Sequence, residues 1–454
     1  MSFYSSKNIH VFKDAISIPG LVEQYLFRPL RDDIHASFML ISDQALYTEL
    51  RDSVVGGPSL VFNEFAKAGE TLIHGNPDRI CQRVIGMDGN ALYLWCLGQE
   101  MPTGAYVDRI IPPDSEYRYR LPEAFFGFAK VDIHVPDSLR NHFSHFPPIF
   151  IKDAEEGKIK SVMDAKEIIL FSPLLRWYLE HGLVITNIHR LVSFEPNRCF
   201  QSFVDEVTEA RQQGGDSILA DTMKLFGNSA YGRSLMKRED FSRVRVVEAT
   251  HLQKHVMEPS YVEAHPLGND LYEVTRRCTR IVHHSPIQIG LAVYSYAKLR
   301  MLQFYYDFLC QVTTQDRFMP MHMDTDSLYM AITGDRLEDI VTCHPFRYEQ
   351  LAKQFLSRDP STRRTPGLFK VEFSGTELVE LAPKLYSAFD SETQKHKMSS
   401  KGVCQEQVAI GHKRVLELMN DQEVWTIRQD SVRLNAAGEL FTVRQSKRAW
   451  QKGV

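Results

Sequence analysis

The segment Met321-His322-Met323-Asp324-Thr325-Asp326-Ser327-Leu328-Tyr329-Met330 constrains this chain more than any other. Apolar residues on both sides predict two short strands, Met319–Ile332 in all, with Asp-Thr-Asp-Ser at the bend. Two carboxylates at one tip repel each other unless a cation sits beside them. Hard oxygen ligands of this kind suit magnesium or manganese. The structural alternative is a solvated Asx-type turn, since Asp and Ser are common turn residues.

A second acid, Asp88, lies in Val84-Ile85-Gly86-Met87-Asp88-Gly89-Asn90-Ala91-Leu92-Tyr93, where a strand (Arg83–Met87) ends and an apolar helix (Ala91–Leu97) begins. A side chain there can face a cleft; it can equally be the N-cap of the helix. Between the acids stands Met223-Lys224-Leu225-Phe226-Gly227-Asn228-Ser229-Ala230-Tyr231-Gly232. Lys224, Asn228 and Tyr231 are spaced i, i+4, i+7, one face of a helix. A cation, an amide and an aromatic ring on one face can hold a triphosphate, a sugar and a base, and Gly227 and Gly232 permit close approach. Arg211, half a helix earlier, offers a second phosphate contact; read alone, it is an ordinary surface arginine.

With 454 residues and 43% hydrophobic content the chain can bury a large core, and its length suggests about three domains. The net charge is −4, but Lys384–Val454 holds 12 Lys/Arg against 8 Asp/Glu, a basic end beside an acidic body. Seven cysteines show no C-x-x-C spacing and read as core thiols, with no zinc site or disulfide framework. With no apolar leader and no run near the ~18 residues of a membrane span, the expectation is a soluble intracellular protein, with no membrane partner.

Helical periodicity predicts helices over 166–180, 201–235, 287–309 and 341–357, and a short one over Arg414–Met419. Residues 366–388 are more strand-like, 105–160 read as short strands and loops, and 236–285 resist assignment. The overall expectation is a mixed α+β protein.

Taken in order, these elements resemble those of family B DNA polymerases, and within them the protein-primed subgroup of bacteriophages, adenoviruses, linear plasmids and Maverick-type transposons. Asp88 to Tyr93 is similar to D-x-x-S-L-Y, with Ala91 where Ser is usual. Lys224 to Gly232 matches K-x-x-x-N-S-x-Y-G, Asp324–Ser327 matches D-T-D-S, and Lys384-Leu385-Tyr386 matches K-x-Y. Val54-Val55-Gly56-Gly57 resembles Y-x-G-G, with Val54 replacing the Tyr.

The resemblance implies a right-hand polymerase fold: an antiparallel palm, helical fingers, a small thumb and two insertions. It divides the chain into an N-terminal segment (1–49), palm (50–105), a terminal-protein insertion (106–197), fingers (198–235), a second insertion (236–290), palm (291–405) and thumb (406–454). It implies a DNA-directed DNA polymerase with two Mg²⁺ ions, replaceable by Mn²⁺, on Asp88, Asp326 and the Gly89 carbonyl, Asp324 assisting. Tyr93 would exclude a 2′-hydroxyl, Lys224 and Arg211 would bind triphosphate, and Asn228 and Tyr231 would line the base pair. Gly56, Gly57, Ser229 and Gly232 would lie near template DNA, and Lys384 and Tyr386 at the primer terminus. The implied partners are primer-template DNA, dNTPs and a terminal-protein primer.

The subgroup carries a proofreading exonuclease with an early D-x-E, and no D-x-E precedes Asp88. The reading is therefore of a fragment rather than of a polymerase that has lost the domain. Two other classes compete: a glycosyltransferase that uses D-x-D on a nucleotide diphosphate, and a decayed DNA-binding remnant. The first gives no reason for the Lys224 helix, and the second predicts damage to the acids. His283-His284 reads as a loop or strand pair, His322 as a packed strand residue, and Trp95 and Trp177 as core aromatics.

Overall fold

A computed structural model describes residues 17–27, 30, 38–153, 155, 157–213, 218–237, 240–268, 270–283, 285–400, 410–420, 424–434 and 440–452. At its centre is a five-stranded antiparallel sheet in the order Ser59–Val61, Phe318–Asp324, Ser327–Ile332, Arg83–Gly89, Phe369–Gly375. The Asp324–Ser327 segment is a hairpin bend, as its flanking apolar runs predict. Every residue of Phe318–Met323 and Leu328–Ile332 is buried, so the two strands read as continuous apolar runs rather than alternating ones.

Helix Ile287–Leu302 packs against helices Leu92–Leu97 and Ser172–Glu180 and is buried on nearly every face. Its mostly apolar composition leaves it no solvent side, and its two charged residues, Lys298 and Arg300, are buried with it. It runs into a π-helical stretch, Gln303–Leu309, rather than continuing as the single α-helix expected over 287–309. There the Asp307 carboxylate accepts from Trp177 Nε1 at 2.9 Å and pairs with His181 Nε2 at 2.8 Å, fastening helix Ser172–Glu180 to the core.

Two other helical expectations change. The first half of 166–180 is a strand, Asp164–Phe171, paired with Gly127–His134; its Ile168-Ile169 pair suits a pleated surface better than a helix. The 201–235 helix is two helices, Gln201–Gln213 and Ile218–Ser229, packed together. Gly214 and Gly215 stand between them in the sequence, where each costs a helix about 1 kcal/mol relative to Ala.

Between the Asp88 strand and these helices, a four-stranded antiparallel sheet is built from Met101–Ile110, Val184–Asn197, Gly127–His134 and Asp164–Phe171. The unassigned 236–285 stretch holds a three-stranded sheet, Ser242–Glu248, Tyr261–Gly268 and Leu271–Arg277, with helix Ala249–Val256. Strands Phe65–Lys67, Glu377–Ala382, Leu385–Phe389 and His396–Ser400 form a further sheet that ends near helix His412–Asn420 and hairpin Trp425–Leu434/Leu440–Trp450. No described helix is long and apolar enough to cross a membrane.

A buried contact between the His322 ring and the Glu380 carboxyl joins the central sheet to the Glu377–Ala382 strand, and His322 packs between Tyr329 (4.3 Å) and Tyr386 (4.6 Å). Tyr329 lies over Gly86, its register partner, so a Cβ on Gly86 would stand 2.5 Å from the Tyr329 ring. Gly86→Ala should therefore destabilise the protein by about 1–3 kcal/mol through overpacking, measured as a lower urea midpoint at unchanged slope.

Candidate active site

Antiparallel pairing carries the three acids to one end of the central sheet. Asp88 is the register partner of Ser327, and Asp324 that of Ser59. The Gly89 N–H donates to the Asp326 carbonyl at 2.7 Å, locking the end of the Asp88 strand to the hairpin tip. Asp88 is not a helix N-cap: that position belongs to Ala91, in left-handed conformation and without a side-chain cap bond. The left-handed turn at Ala91 reverses the chain into helix Leu92–Leu97 and leaves Asp88 on the strand.

The hairpin tip is strained. Thr325 has a φ of 59°, unfavourable for a β-branched residue and worth about 1–3 kcal/mol. Its N–H donates to the Pro58 carbonyl at 2.7 Å, and the Asp326 N–H to the Asp324 carbonyl at 2.7 Å. Gly57 supports the same point, because a Cβ there would lie 2.8 Å from both Thr325 Cγ2 and the Tyr93 hydroxyl. Lys298, 7% exposed on the buried helix, donates to the Val55 carbonyl at 2.8 Å and so anchors the Val54–Gly57 loop.

Asp326 carries the electrostatic load. Burial, then the like charges of Asp88 and Asp324, push its carboxyl up to about 7. Asp88 is also raised, chiefly by burial, against the pull of Lys370. Two ammonium groups answer these charges. Lys370 Nζ lies 3.1 Å from Asp88 Oδ2 and donates to Asn90 Oδ1 at 3.0 Å, while Lys384, with a φ of 67° in its turn, bonds Asp324.

Among the described residues no three His, Cys, Asp or Glu side chains already stand at metal-binding spacing. The donor chemistry nonetheless fits a hard divalent cation. Carboxylates from neighbouring strands lie at the same end of the sheet, and the burial and like charge that raise Asp326 are what a divalent charge would offset.

A cavity of about 330 Å³ opens on this point, lined by Tyr93, Asn228, Tyr231, Asp324, Thr325, Asp326 and Lys384. Sequence elements far apart in the chain thus share one space. Tyr231 is not on the Lys224 helix face as the spacing suggests, because the helix ends at Ser229; Tyr231 enters from the turn beyond. It packs on Tyr93 at 4.3 Å between ring centroids, and Tyr294 of the buried helix closes behind both, at 5.5 Å from Tyr231 and 6.1 Å from Tyr93.

Other expected residues lie further out. Lys224 is exposed on its helix outside the cavity lining. Arg211 is half-buried; burial and the neighbouring Arg364 hold its guanidinium below the usual range, and its carbonyl accepts from Arg364 at 2.6 Å. Ser229 is half-buried at the helix end. Tyr386 is only 7% exposed, turned inward against His322 and Tyr329. Neither Gly227 nor Gly232 marks a close approach within the protein: a Cβ on Gly227 would meet Leu94 at an ordinary 3.5 Å, and Gly56 and Gly232 face open space.

His283 bonds Tyr47 through Nδ1 at 3.1 Å, while His284 lies outside the described residues. Trp177 is core, as expected, and Trp95 packs against Arg300, 5.2 Å from its guanidinium. Lys370, Tyr294 and Lys298 escaped the sequence reading. Lys370 carries no motif; only its register, directly opposite Asp88 in the strand Phe369–Gly375, marks it.

Because Asp326 is raised in the folded protein, folding takes up a proton between its ordinary pKa and about 7. Its contribution is therefore stabilising at low pH and is lost as pH rises toward and past 7. In EDTA, Asp326→Asn should exceed the wild type in stability at pH 8 by about 1–3 kcal/mol, with the gap narrowing at pH 5. Urea unfolding at the two values checks this; an equal gap at both would remove the repulsion.

No family model matches the chain, and no curated protein matches it by sequence. Solved structures do. The phi29 DNA polymerase complexed with primer-template DNA and incoming nucleotide superposes with a TM-score of 0.64 at 14% identity, covering 99% of this chain and 69% of the phi29 chain. Its post-translocation binary complex with primer-template DNA gives 0.62 at 14% identity, covering 98% and 69%. The phi29 polymerase complexed with single-stranded DNA gives 0.59 at 13% identity, covering 98% and 69%. A likeness at this identity speaks to fold alone: the chain shares its fold with the phi29 DNA polymerase.

Proposed function

We propose that the chain is a DNA-directed DNA polymerase that adds deoxynucleotides to a primer 3′-hydroxyl on a DNA template, in protein-primed replication of a viral, plasmid or transposon genome. The observation that carries this reading is the meeting of Asp324 and Asp326 with Tyr93, Asn228 and Tyr231 around one cavity, with Asp88 on the adjoining strand opposite Ser327, in a polymerase fold.

Asp88 and Asp326, with the Gly89 carbonyl, would hold two Mg²⁺ ions or Mn²⁺ in their place. When bound, these supply acidification of the primer hydroxyl and charge neutralisation at the triphosphate. Asp324 supports them from the far side of the strained Thr325 tip. Lys370 and Lys384 orient the carboxylates of Asp88 and Asp324. In-line transfer asks the protein chiefly for positioning and charge.

Tyr93, backed by Tyr231 and Tyr294, forms a rigid wall for the sugar, and a 2′-hydroxyl would collide with it. Asn228 faces the same space, where the base pair would form. Lys224 and Arg211, on the two packed helices, serve the triphosphate from outside the cavity. Gly56, Gly57, Ser229 and Gly232 border the template, and Lys384 reaches the primer terminus with Tyr386 bracing its strand from within.

In this reading the central sheet is the palm (50–105 and 291–405), and 198–235 are the fingers. The C-terminal 406–454 form the thumb, and 106–197 and 236–290 are insertions. The four-stranded sheet of the first insertion is the surface proposed for a terminal protein. Family resemblance motivates that partner.

Primer extension with dNTPs and Mg²⁺ tests the activity. Asp326→Asn should lower incorporation on the order of a thousandfold or more while leaving DNA binding largely intact. Near-wild-type incorporation by the variant would overturn the metal assignment, and a folded wild type that incorporates nothing would overturn the activity. Tyr93→Val should weaken the preference for deoxy- over ribonucleotides by roughly tenfold or more. Unchanged sugar selectivity in a competition assay would remove Tyr93 from that role.

A further inference from the structure

Behind the tyrosine wall lies a second cavity, of about 1020 Å³, at the upper end of the size range of small-molecule sites. Helix Gln44–Asp52, the four-stranded sheet, hairpin Ile149–Lys152/Ile159–Val162 and the buried helix enclose it. Phe128, Phe150, Leu170 and Leu291 give it an apolar wall, and Tyr294 is the side chain that separates it from the Tyr93–Tyr231 pair.

Charge is distributed unevenly in this space. At the mouth, Lys130 pairs with Glu49 at 2.9 Å and Glu167 at 2.8 Å, and Arg190 with Glu49 at 2.6 Å and with Asp108. Those cations are matched. The exposed Lys152 and Asp52 flank the opening. Deeper in, the Lys298 ammonium has three N–H donors, and the Val55 carbonyl at 2.8 Å accepts one of them. Burial pulls Lys298 down to about 7. A cation at the end of an apolar cavity calls for an acceptor carried on an apolar body.

We propose that this cavity binds a small amphipathic organic anion, with an aromatic or acyl body against the Phe128–Leu170–Leu291 wall and its acidic head on Lys298. The site shares no lining residue with the nucleotide cavity and is linked to the surroundings of that cavity through two of its own side chains. Tyr294 backs the sugar wall, and Lys298 holds the loop on which Gly57 supports Thr325.

The test uses the full chain and two fluorescent probes. One is 8-anilinonaphthalene-1-sulfonate, an aromatic anion; the other is N-phenyl-1-naphthylamine, which lacks the acidic group. The expected result is one saturable site for the sulfonate, weakened at least tenfold by Lys298→Met, with the neutral probe changed less than twofold. Ser295→Trp, which fills the cavity from the same helix, should abolish binding of both probes. Sulfonate affinity unchanged in Lys298→Met overturns the anion assignment. Binding that survives in Ser295→Trp overturns the site, and this second variant decides the matter if Lys298→Met does not fold. Because the readout is probe fluorescence and not nucleotide incorporation, this site and the proposed polymerase activity can fail independently.

Discussion

Three carboxylates brought together where water is scarce set the terms for the rest of the structure. Their mutual repulsion opposes folding, and the surrounding protein is arranged to contain it. Two lysines from separate strands and turns, Lys370 and Lys384, stand against Asp88 and Asp324. Asp326, between them, is left with an elevated carboxyl. A divalent cation is the kind of charge that would relieve such a cluster, in place of the two ammonium groups that now answer part of it.

Holding such a site open requires a rigid support, and the buried helix Ile287–Leu302 supplies it. That helix reaches the site at two places, through Tyr294 behind the tyrosine pair and through Lys298 on the Val55 carbonyl. The Thr325 turn could not keep its left-handed backbone alone. Pro58 accepts its N–H, and Gly57 leaves room for its side chain beside the Tyr93 hydroxyl. Gly57, singled out as a template contact, therefore has a packing reason for being glycine that is independent of DNA.

Much of this was legible in the sequence where local rules act alone. The Asp324–Ser327 hairpin, the strand carrying Asp88 and the helix bearing Asn228 follow from apolar runs and turn residues, which short-range sterics determine. Legibility failed where tertiary contacts overrode periodicity. Residues 164–171 joined a sheet because Gly127–His134 offered an edge, and Tyr231 left its apparent helix because the turn toward Tyr93 and Tyr294 is stabilised by ring packing. Buried partners such as Lys298 and Tyr294 carry no motif, since nothing in their neighbours along the chain reports what will lie opposite them.

By itself, then, the sequence determined the chemical identities of the site: three acids, tyrosines, an amide and basic residues, in an order that resembles one polymerase family. It also determined most of the strands and helices that carry them, Tyr231 excepted, because strand and helix periodicity are properties of neighbours in the chain. Tertiary structure alone decided that Asp88 meets a hairpin more than 230 residues away. It also decided that Lys370 and Lys384 balance the acids, and that Tyr386 turns inward while Lys384 turns to Asp324. Those outcomes depend on pairing register and burial, which act between segments that the linear order keeps apart.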